Sequence, residues 1–343
     1  MTATAPLRPA DALDRIVYLL DRALAERTKV RAFLRARDVV AEVGDEEVER
    51  LHAAGRLTEL PGIGPTTARV IAEALEGRVP SYLARLEEET AIDPGEGAEL
   101  RAALRGDCHT HSTWSDGGAP IERMARTAMA LGHEYMVLTD HSPRLTVAHG
   151  LSAARLREQL DEVAELNERL APFRILTGIE VDILEDGSLD QDEDLLARLD
   201  VVVASVHSKL RMGRREMTER MVRAIANPHV DILGHCTGRK MVGRGRPPST
   251  FDADIVFAAC AQFDTALEIN CRPERQDPPD DLLALALEWD LRFSIDTDAH
   301  APGQMEWLAY GCDKAARHGI APERIVNTLP ADELVAWAAS HGP

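Results

Sequence analysis

The chain has 343 residues, a hydrophobic fraction of 45% and a formal net charge of −19. This length favours one large domain plus a smaller one, with a core that needs no disulfide. No apolar run is long enough to span a bilayer. The strong negative charge argues against a protein that simply coats nucleic acid, because phosphate binding needs Lys and Arg. None of these features indicates an oligomeric state.

The cysteine pattern and the N-terminus indicate where the protein resides. The five cysteines form no Cys-x-x-Cys pair and no pattern typical of a disulfide framework. Such usage is typical of a reducing compartment. Residues 1–7 lack the basic and apolar segments of a secretory signal. We therefore expect a cytoplasmic protein that does not associate with membranes.

Residues 10–90 are predicted to form a small all-α domain. The segment is rich in Ala, Leu and Arg with helical periodicity, and it contains no convincing strand. A Pro-Gly-Ile-Gly segment at residues 61–64 separates two predicted helices, the second of which covers residues 66–76. Residues 91–105 contain Pro94, Gly95 and Gly97, and we predict that they form a linker.

Residues 106–343 have a different pattern, in which short β-branched runs alternate with amphipathic helical segments. This alternation predicts a parallel α/β sheet or barrel. The predicted strands are residues 107–109, 136–139, 174–177, 201–204, 230–233, 266–269 and 292–295. The main predicted helices between them are residues 152–170, 215–226, 251–262 and 280–289.

His or a carboxylate stands at nearly every predicted strand end, with Glu180 placed just beyond the third strand. Because the C-terminal ends of parallel barrel strands face one mouth, we expect these side chains to lie together. His-x-His and Asp-x-His spacing on an extended segment places both side chains of each pair on the same side. Mixed N and O ligands suit Zn, Mn or Fe rather than Ca or Mg. The metal ligands that this pattern predicts are His109, His111, His141, Glu180, His207, His235, Asp298 and His300.

These motifs, in this order, resemble those of the PHP (polymerase and histidinol phosphatase) domain over about residues 106–320. The resemblance implies a distorted (β/α)7 barrel with up to three divalent metals, Zn, Mn or Fe, at its mouth. It implies the following three ligand sets: His109, His111, Glu180 and Asp298; Glu180, His207 and His235; and Asp116, His141 and His300. In this arrangement Glu180 bridges two metals.

One branch of the family is particularly similar. Residues 227–239 and 266–270 resemble the C-terminal PHP domain of bacterial family X DNA polymerases, and the helical N-terminal segment resembles their helix-hairpin-helix domain. The predicted linker cannot house a polymerase palm, since a domain needs at least about 50 residues. The chain therefore resembles the two ends of such a polymerase joined directly.

The resemblance implies a metal-dependent phosphoric ester hydrolase in which a metal-bound hydroxide attacks the phosphorus. We expect DNA phosphoesters as substrates, through 3′–5′ exonuclease, 3′-end processing or abasic-site endonuclease activity. A small-molecule phosphomonoesterase of the histidinol-phosphatase type is an alternative, in which the partner is a phosphorylated small molecule. A non-catalytic DNA-binding factor is a third hypothesis. The predicted catalytic residues are Glu180, His207 and Arg239.

Polar residues near the strand ends are candidates for substrate binding. They are Arg144, Lys209, Arg239, Asn270 and Arg272. Arg239 is the first choice for a phosphate ligand because it follows the predicted metal ligand His235 closely. Each of these cations is alternatively a solvated surface charge.

The helical domain carries the predicted DNA contacts. Backbone N–H groups at the Pro-Gly-Ile-Gly hairpin, which includes Gly62 and Gly64, can bind a phosphate at a helix N-terminus. Arg31 and Arg35 share one face of a neighbouring helix and are interpreted as DNA-binding. Abasic-site lyase chemistry is not expected, because it needs a Lys amine and Val70 stands where the resemblance would place that Lys.

Overall fold

The computed structural model describes residues 7–341, and the chain divides into two compact units, Met1–Ile92 and Asp93–Pro343. The prediction about a secretory signal concerns residues 1–7, of which residues 1–6 lie outside this description. Within residues 7–341, no helix is both long enough and apolar enough to cross a membrane.

The first unit is helical, and none of its described residues lies in a strand. Its helices are α1 (Pro9–Arg22), α2 (Arg27–Val43), α3 (Asp45–Ala53), α4 (Pro65–Leu75) and α5 (Ser81–Glu89). Their apolar faces share one core, which includes Leu13, Phe33 and Val70. Val70 is fully buried there, so this position of α4 serves packing.

The second unit contains one seven-stranded sheet whose strands pair in parallel, in the order of the chain. The strands are β1 (Gly106–Thr110), β2 (Tyr135–Leu138), β3 (Arg174–Asp182), β4 (Val201–Ser205), β5 (Ile232–Leu233), β6 (Ala266–Asn270) and β7 (Phe293–Asp296). The helices are α6 (Ala98–Ala103), α7 (Ile121–Ala130), α8 (Ala153–Leu170), α9 (Glu193–Leu196), α10 (Arg214–Ile225), α11 (Ala253–Phe263), α12 (Asp280–Glu288), α13 (Leu308–Arg317) and α14 (Ala331–Ala339). The predicted distorted (β/α)7 barrel is confirmed.

The barrel closes between β7 and β1 without a regular ladder. The backbone N–H of Cys108 donates to the Asp296 side chain (2.8 Å), and the N–H of His111 donates to the Ala299 carbonyl (2.8 Å). A single parallel bridge joins Thr110 to Ala299. These contacts align the mouth ends of the first and last strands.

Two segments differ from the sequence prediction. Strand β3 extends to Asp182, so Glu180 lies within the strand and not beyond it. The extension forms because residues 174–177 pair with β2 while residues 178–182 pair with β4. Part of the predicted linker is ordered as α6 and a preceding turn, packed on α13. Gly97 approaches α13 so closely that a Cβ would lie 2.3 Å from the Asp313 nitrogen.

A buried histidine away from the mouth is expected to make stability depend on pH. His133 is buried, and Arg101 Nη2 donates to its Nε2 (3.0 Å). Burial, and then the Arg101 charge, lowers the pKa of His133 from 6.5 to about 3. Below about pH 6.5, His133 therefore binds a proton in the unfolded chain but stays neutral in the folded chain down to about pH 3. Folding stability is lost as the pH falls, by about 1.4 kcal/mol per pH unit.

We predict that His133→Gln, which keeps an acceptor for Arg101 but does not titrate, flattens this dependence. The free energy of urea unfolding, followed by circular dichroism, should fall less steeply between about pH 6.5 and 4.5 than in the wild type. His149→Asn, at an exposed loop position, is the control and should keep the wild-type slope. Equal slopes for the His133 variant and the wild type would contradict the prediction.

Candidate metal centre

Glu180 is buried in β3 and lies at the centre of a group of imidazoles. Its Oε1 is 2.8 Å from His235 Nε2 and 3.1 Å from His207 Nε2. Its Oε2 is 2.8 Å from His141 Nδ1 and 3.4 Å from His109 Nε2. Imidazoles from β1 and from the segments after β2, β4 and β5 thus surround one carboxylate.

Asp298 supplies a second buried carboxylate at the mouth. Its Oδ1 lies 3.3 Å from His111 Nε2 and 3.5 Å from His300 Nδ1. The expected extended geometry is wrong for Asp298, whose φ of +52° is left-handed. This conformation is uncommon outside glycine, and Arg272 Nη1 stabilises it by donating to the Asp298 carbonyl (2.7 Å). The Asp and His side chains still meet.

Asp116 lies in the loop after β1 and approaches two imidazoles. Its Oδ1 is 3.2 Å from His300 Nε2 and 3.4 Å from His141 Nε2. The buried carboxylate of Asp140 holds this loop, accepting from the N–H (2.8 Å) and the hydroxyl (2.6 Å) of Ser112. A loop residue is therefore fixed beside residues that come from strand ends.

All nine predicted ligand residues converge at the mouth. Three groups have ligand atoms within 4.8 Å of one another: His111, Asp116, His141 and His300; His109, His111 and Glu180; and His141, Glu180 and His207. The first group contains the predicted outer set plus His111, while the third contains His141 where His235 was expected. The division into three metal sites stays a prediction.

The chemistry of this cluster fits bound divalent cations. Ligand atoms about 2.1 Å from a tetrahedral ion lie about 3.4 Å apart, close to the distances above. Many buried atoms of the cluster have no hydrogen-bond partner within residues 7–341: His109 Nε2, both ring nitrogens of His111 and of His207, Asp116 Oδ1, His141 Nδ1, Glu180 Oε2 and His235 Nδ1. Buried polar atoms without partners cost free energy, which coordination would remove.

The electrostatics leave His111, Glu180 and Asp298 in forms that can bind a metal. Burial, followed by neighbouring imidazoles, holds the pKa of His111 well below its usual range, so this ring is neutral. Burial raises the pKa of Glu180, but His207 and its neighbours outweigh burial and hold that pKa well below the usual range. Burial opposes Arg272 at Asp298 in the same way, and the pKa again ends well below its usual range. Both carboxylates are therefore ionised, as metal binding requires.

Two carboxylates that the sequence analysis missed lie against the histidines: one hydrogen-bonds to a ring, and the other to a backbone N–H. Glu268 on β6 lies 2.6 Å from His109 Nδ1, which leaves Nε2 to face the cluster. Asp182 accepts from the His207 N–H (3.1 Å) and lies 3.4 Å from its Nδ1. Such partners fix the ring orientation of metal-binding histidines. Period-two alternation could have indicated Asp182, since it stands two residues after Glu180 on the same strand.

Three of the predicted substrate-binding residues have donors engaged within the protein. Asn270 Nδ2 donates to Asp298 Oδ2 (3.3 Å), and Arg272 Nη1 donates to His300 Nδ1 (2.9 Å). Arg239 Nε donates to a backbone carbonyl in the loop after β6 (2.9 Å). These contacts show that the three side chains support the mouth, and their contact with a substrate stays a prediction.

Arg275 was missed, although it follows Arg272 in the same loop. Its side chain is only 12% exposed, and its Nε lies 3.3 Å from Asp298 Oδ2. Both Nε and Nη1 are buried without a hydrogen-bond partner in the described part of the chain. Arg275 is therefore a buried cation that is ion-paired with Asp298 and whose Nη1 has no hydrogen-bond partner among the described residues.

The remaining predicted cations lie on the surface. Arg144 is exposed, and its contact with Asp190 is made by its backbone N–H (2.5 Å). Lys209 is also exposed, with Nζ 3.8 Å from Glu185 Oε1. Within residues 7–341, neither side chain hydrogen-bonds to a member of the cluster.

The helical unit brings its predicted DNA contacts together. Gly62 has a φ of +97°, and a Cβ there would lie 2.7 Å from Arg35 Nε, so Arg35 packs directly on the hairpin. Arg31 and Arg35 are exposed and have no ion pair within residues 7–341. Gly64 differs from expectation, because its N–H is taken by Thr67 Oγ1 (3.0 Å) and is not free for a phosphate.

The barrel and the cluster at its mouth define a metal-dependent hydrolase of phosphoric esters. Residues 107–250 match the model of the PHP domain family. Residues 107–250 therefore contain a PHP domain, as the resemblance in sequence predicted.

Relatives of two kinds are similar to this chain. The DNA polymerase/3′–5′ exonuclease PolX of Bacillus subtilis is 39% identical over 251 residues, which cover 73% of this chain and 44% of that relative. The chain thus spans less than half the length of that protein. A probable phosphatase of Thermoanaerobacter sp. (strain X514) is 29% identical and covers 65% of this chain and 89% of the relative.

The solved structure of histidinol phosphate phosphatase from Lactococcus lactis, in complex with Zn, L-histidinol and phosphate, is also similar. It covers 64% of this chain and 95% of its own, with a TM-score of 0.47 and 20% identity.

We predict that Glu180→Gln loses at least one bound divalent ion per chain. The substitution removes the negative charge on which four imidazoles converge while keeping the side-chain size. Metal content of the purified protein, measured by inductively coupled plasma mass spectrometry, checks this. Glu185→Gln, whose side chain is 62% exposed, is the matched control and should keep the wild-type content. Unchanged metal content in the Glu180 variant would show that this carboxylate is not a ligand.

Proposed function

We propose that this protein hydrolyses DNA phosphoesters, as a 3′–5′ exonuclease, a 3′-end-processing enzyme or an abasic-site endonuclease. The observation that carries the proposal is the pairing of Arg35 with the hairpin at Gly62, in a chain that also holds a phosphoesterase cluster. A hairpin and unpaired arginines are a typical backbone-phosphate contact without sequence preference. A small phosphomonoester has no strand of phosphates that the helical unit could contact.

The nine residues at the mouth would hold up to three ions, Zn, Mn or Fe. When bound, such ions lower the pKa of water and neutralise charge on a phosphoryl group. The chain's own residues fix the geometry: Glu268 orients the His109 imidazole, Asp182 holds the His207 backbone, and Arg272 holds the Asp298 backbone. Arg275 lies beside Asp298 (Nε to Oδ2, 3.3 Å), and its Nη1, which has no hydrogen-bond partner among residues 7–341, would bind a phosphate oxygen.

A small-molecule phosphomonoesterase is the second candidate. It is supported by the probable phosphatase of Thermoanaerobacter, 89% of which aligns with this chain. The same cluster chemistry serves both substrates, so only a direct comparison separates them. Phosphomonoesters and DNA differ in the number of phosphates that the protein can contact.

A parallel assay tests the choice. The protein is incubated with Mn and a 5′-labelled oligonucleotide, a duplex containing an abasic site, or p-nitrophenyl phosphate and histidinol phosphate. Shortening or incision of DNA is expected, with turnover lost in Glu180→Gln. Release of phosphate from the small esters alone, with intact DNA, would favour the phosphatase and refute the DNA proposal.

We predict that Arg31→Ala/Arg35→Ala weakens DNA binding about tenfold. With two fewer arginines the protein neutralises fewer phosphates, so that binding releases fewer counterions from the DNA. Fluorescence anisotropy with a labelled oligonucleotide measures the effect. Arg50→Ala is the control, since Arg50 is exposed but paired with Glu47 on α3. Equal DNA affinity of the double variant and the wild type would show that these arginines of the helical unit do not contribute to DNA binding.

A further inference from the structure

The loops after β4 and β5 are basic in an otherwise acidic chain, and both strands precede β6 in the barrel. These strands are neighbours in the barrel. Residues 206–215 and 232–251 contain no Asp or Glu, although the whole chain has a net charge of −19. The two loops are joined where Ser249 Oγ donates to the Leu210 carbonyl (3.0 Å). Their cations near the mouth are Lys209, Arg211, Arg239, Lys240, Arg244 and Arg246.

The loop after β5 is also fastened to the loop after β6. The N–H of Met241 donates to the Glu274 carbonyl (2.7 Å), and Arg239 Nε donates to the Arg275 carbonyl (2.9 Å). Arg275 in turn contacts the metal ligand set through Asp298 (3.3 Å). The basic surface is thus continuous with the edge of the metal centre.

Residues 240–246 form a small hairpin on this surface, which we call the mouth hairpin. Lys240 and Arg246 exchange two backbone hydrogen bonds (2.9 and 2.7 Å). Between them, Met241 is 59% exposed and Val242 is 64% exposed, and Arg244 is exposed as well. Partial burial, followed by the charges of neighbouring arginines, lowers the pKa of Lys240. Several positive charges are therefore crowded next to two exposed apolar side chains.

We propose that the mouth hairpin binds single-stranded DNA and leads the strand to the metal centre. The proposal rests on the DNA hydrolysis proposed above and names the surface that recognises the polymer. A small phosphomonoester has one phosphate, for which Arg275 suffices. The further cations fit phosphates along a strand, and Met241 and Val242 fit the apolar faces of its bases.

The test uses the metal-loaded protein and a fluorescein-labelled single-stranded oligonucleotide with phosphorothioate linkages at its 3′ end, which slow hydrolysis. Dissociation constants are measured by anisotropy at several salt concentrations. Lys240→Ala/Arg244→Ala should weaken binding about tenfold and reduce the slope of log K against log[salt] by about 1.4, the value for two phosphate contacts. Arg198→Ala, exposed just before β4 at the other end of the barrel, should change neither quantity.

A second variant separates apolar contacts from charge. Met241→Ser/Val242→Ser should weaken binding while leaving the salt slope unchanged, because base contacts release no counterions. Far-ultraviolet circular dichroism and the melting temperature of each variant establish that it is folded. Wild-type affinity and slope in both folded variants would overturn the proposal.

The surface and the activity can fail separately. Hairpin-dependent binding without shortening of an unmodified oligonucleotide supports the surface and refutes DNA hydrolysis. Shortening by the wild type with unaltered binding in both variants refutes the surface alone. Binding of anionic phospholipid vesicles that is lost in parallel with DNA binding would show a general anion surface and overturn the assignment to a DNA strand.

Discussion

The structure depends on one buried carboxylate, Glu180, which four imidazoles approach from different parts of the barrel. A buried negative charge is costly unless opposite charge or a cation compensates it. The imidazoles come from β1 and from the segments after β2, β4 and β5. Compensation of the Glu180 charge by these rings therefore requires that the strands of the barrel are paired in their native order. Glu268 then restricts the His109 ring to the orientation that the cluster needs, and Asp182 holds the backbone of His207.

Charge is distributed unevenly around this centre. The chain is strongly acidic overall, yet the loops after β4 and β5 are basic, and Arg272 and Arg275 lie directly against Asp298. In the helical unit, Arg31 and Arg35 are likewise exposed beside the hairpin at Gly62. Net charge therefore describes solubility, whereas ligand preference follows from the local arrangement.

Much of the fold and the cluster could be predicted from local patterns. Alternating β-branched runs and amphipathic segments indicate the barrel, and predicted helices such as residues 152–170 agree with the observed α8 within two residues. The residues of the cluster could be predicted because His and carboxylates recur at strand ends. The position of Glu180 within β3 was not predictable, since the strand's length depends on pairing with both neighbours.

Side-chain roles were harder to predict than side-chain types. Arg239 and Arg272 looked like phosphate ligands, but their donors meet backbone carbonyls 36 and 26 residues away, contacts that no local pattern encodes. Arg275 instead has an Nη1 without a hydrogen-bond partner among the described residues. The left-handed backbone at Asp298 also depends on a distant partner.

The irregular closure between β1 and β7 has a consequence for how the protein matures. Asp107 and Thr297, which meet at this seam (3.2 Å), are 190 residues apart, and the predicted ligands of the first and last strands flank it. Such distant contacts form late, after loop-closure entropy has been overcome. During synthesis, the emerging barrel therefore lacks Asp298 and His300 until its last strand leaves the ribosome. Completion of the predicted ligand set is thus coupled to docking of β7 against β1.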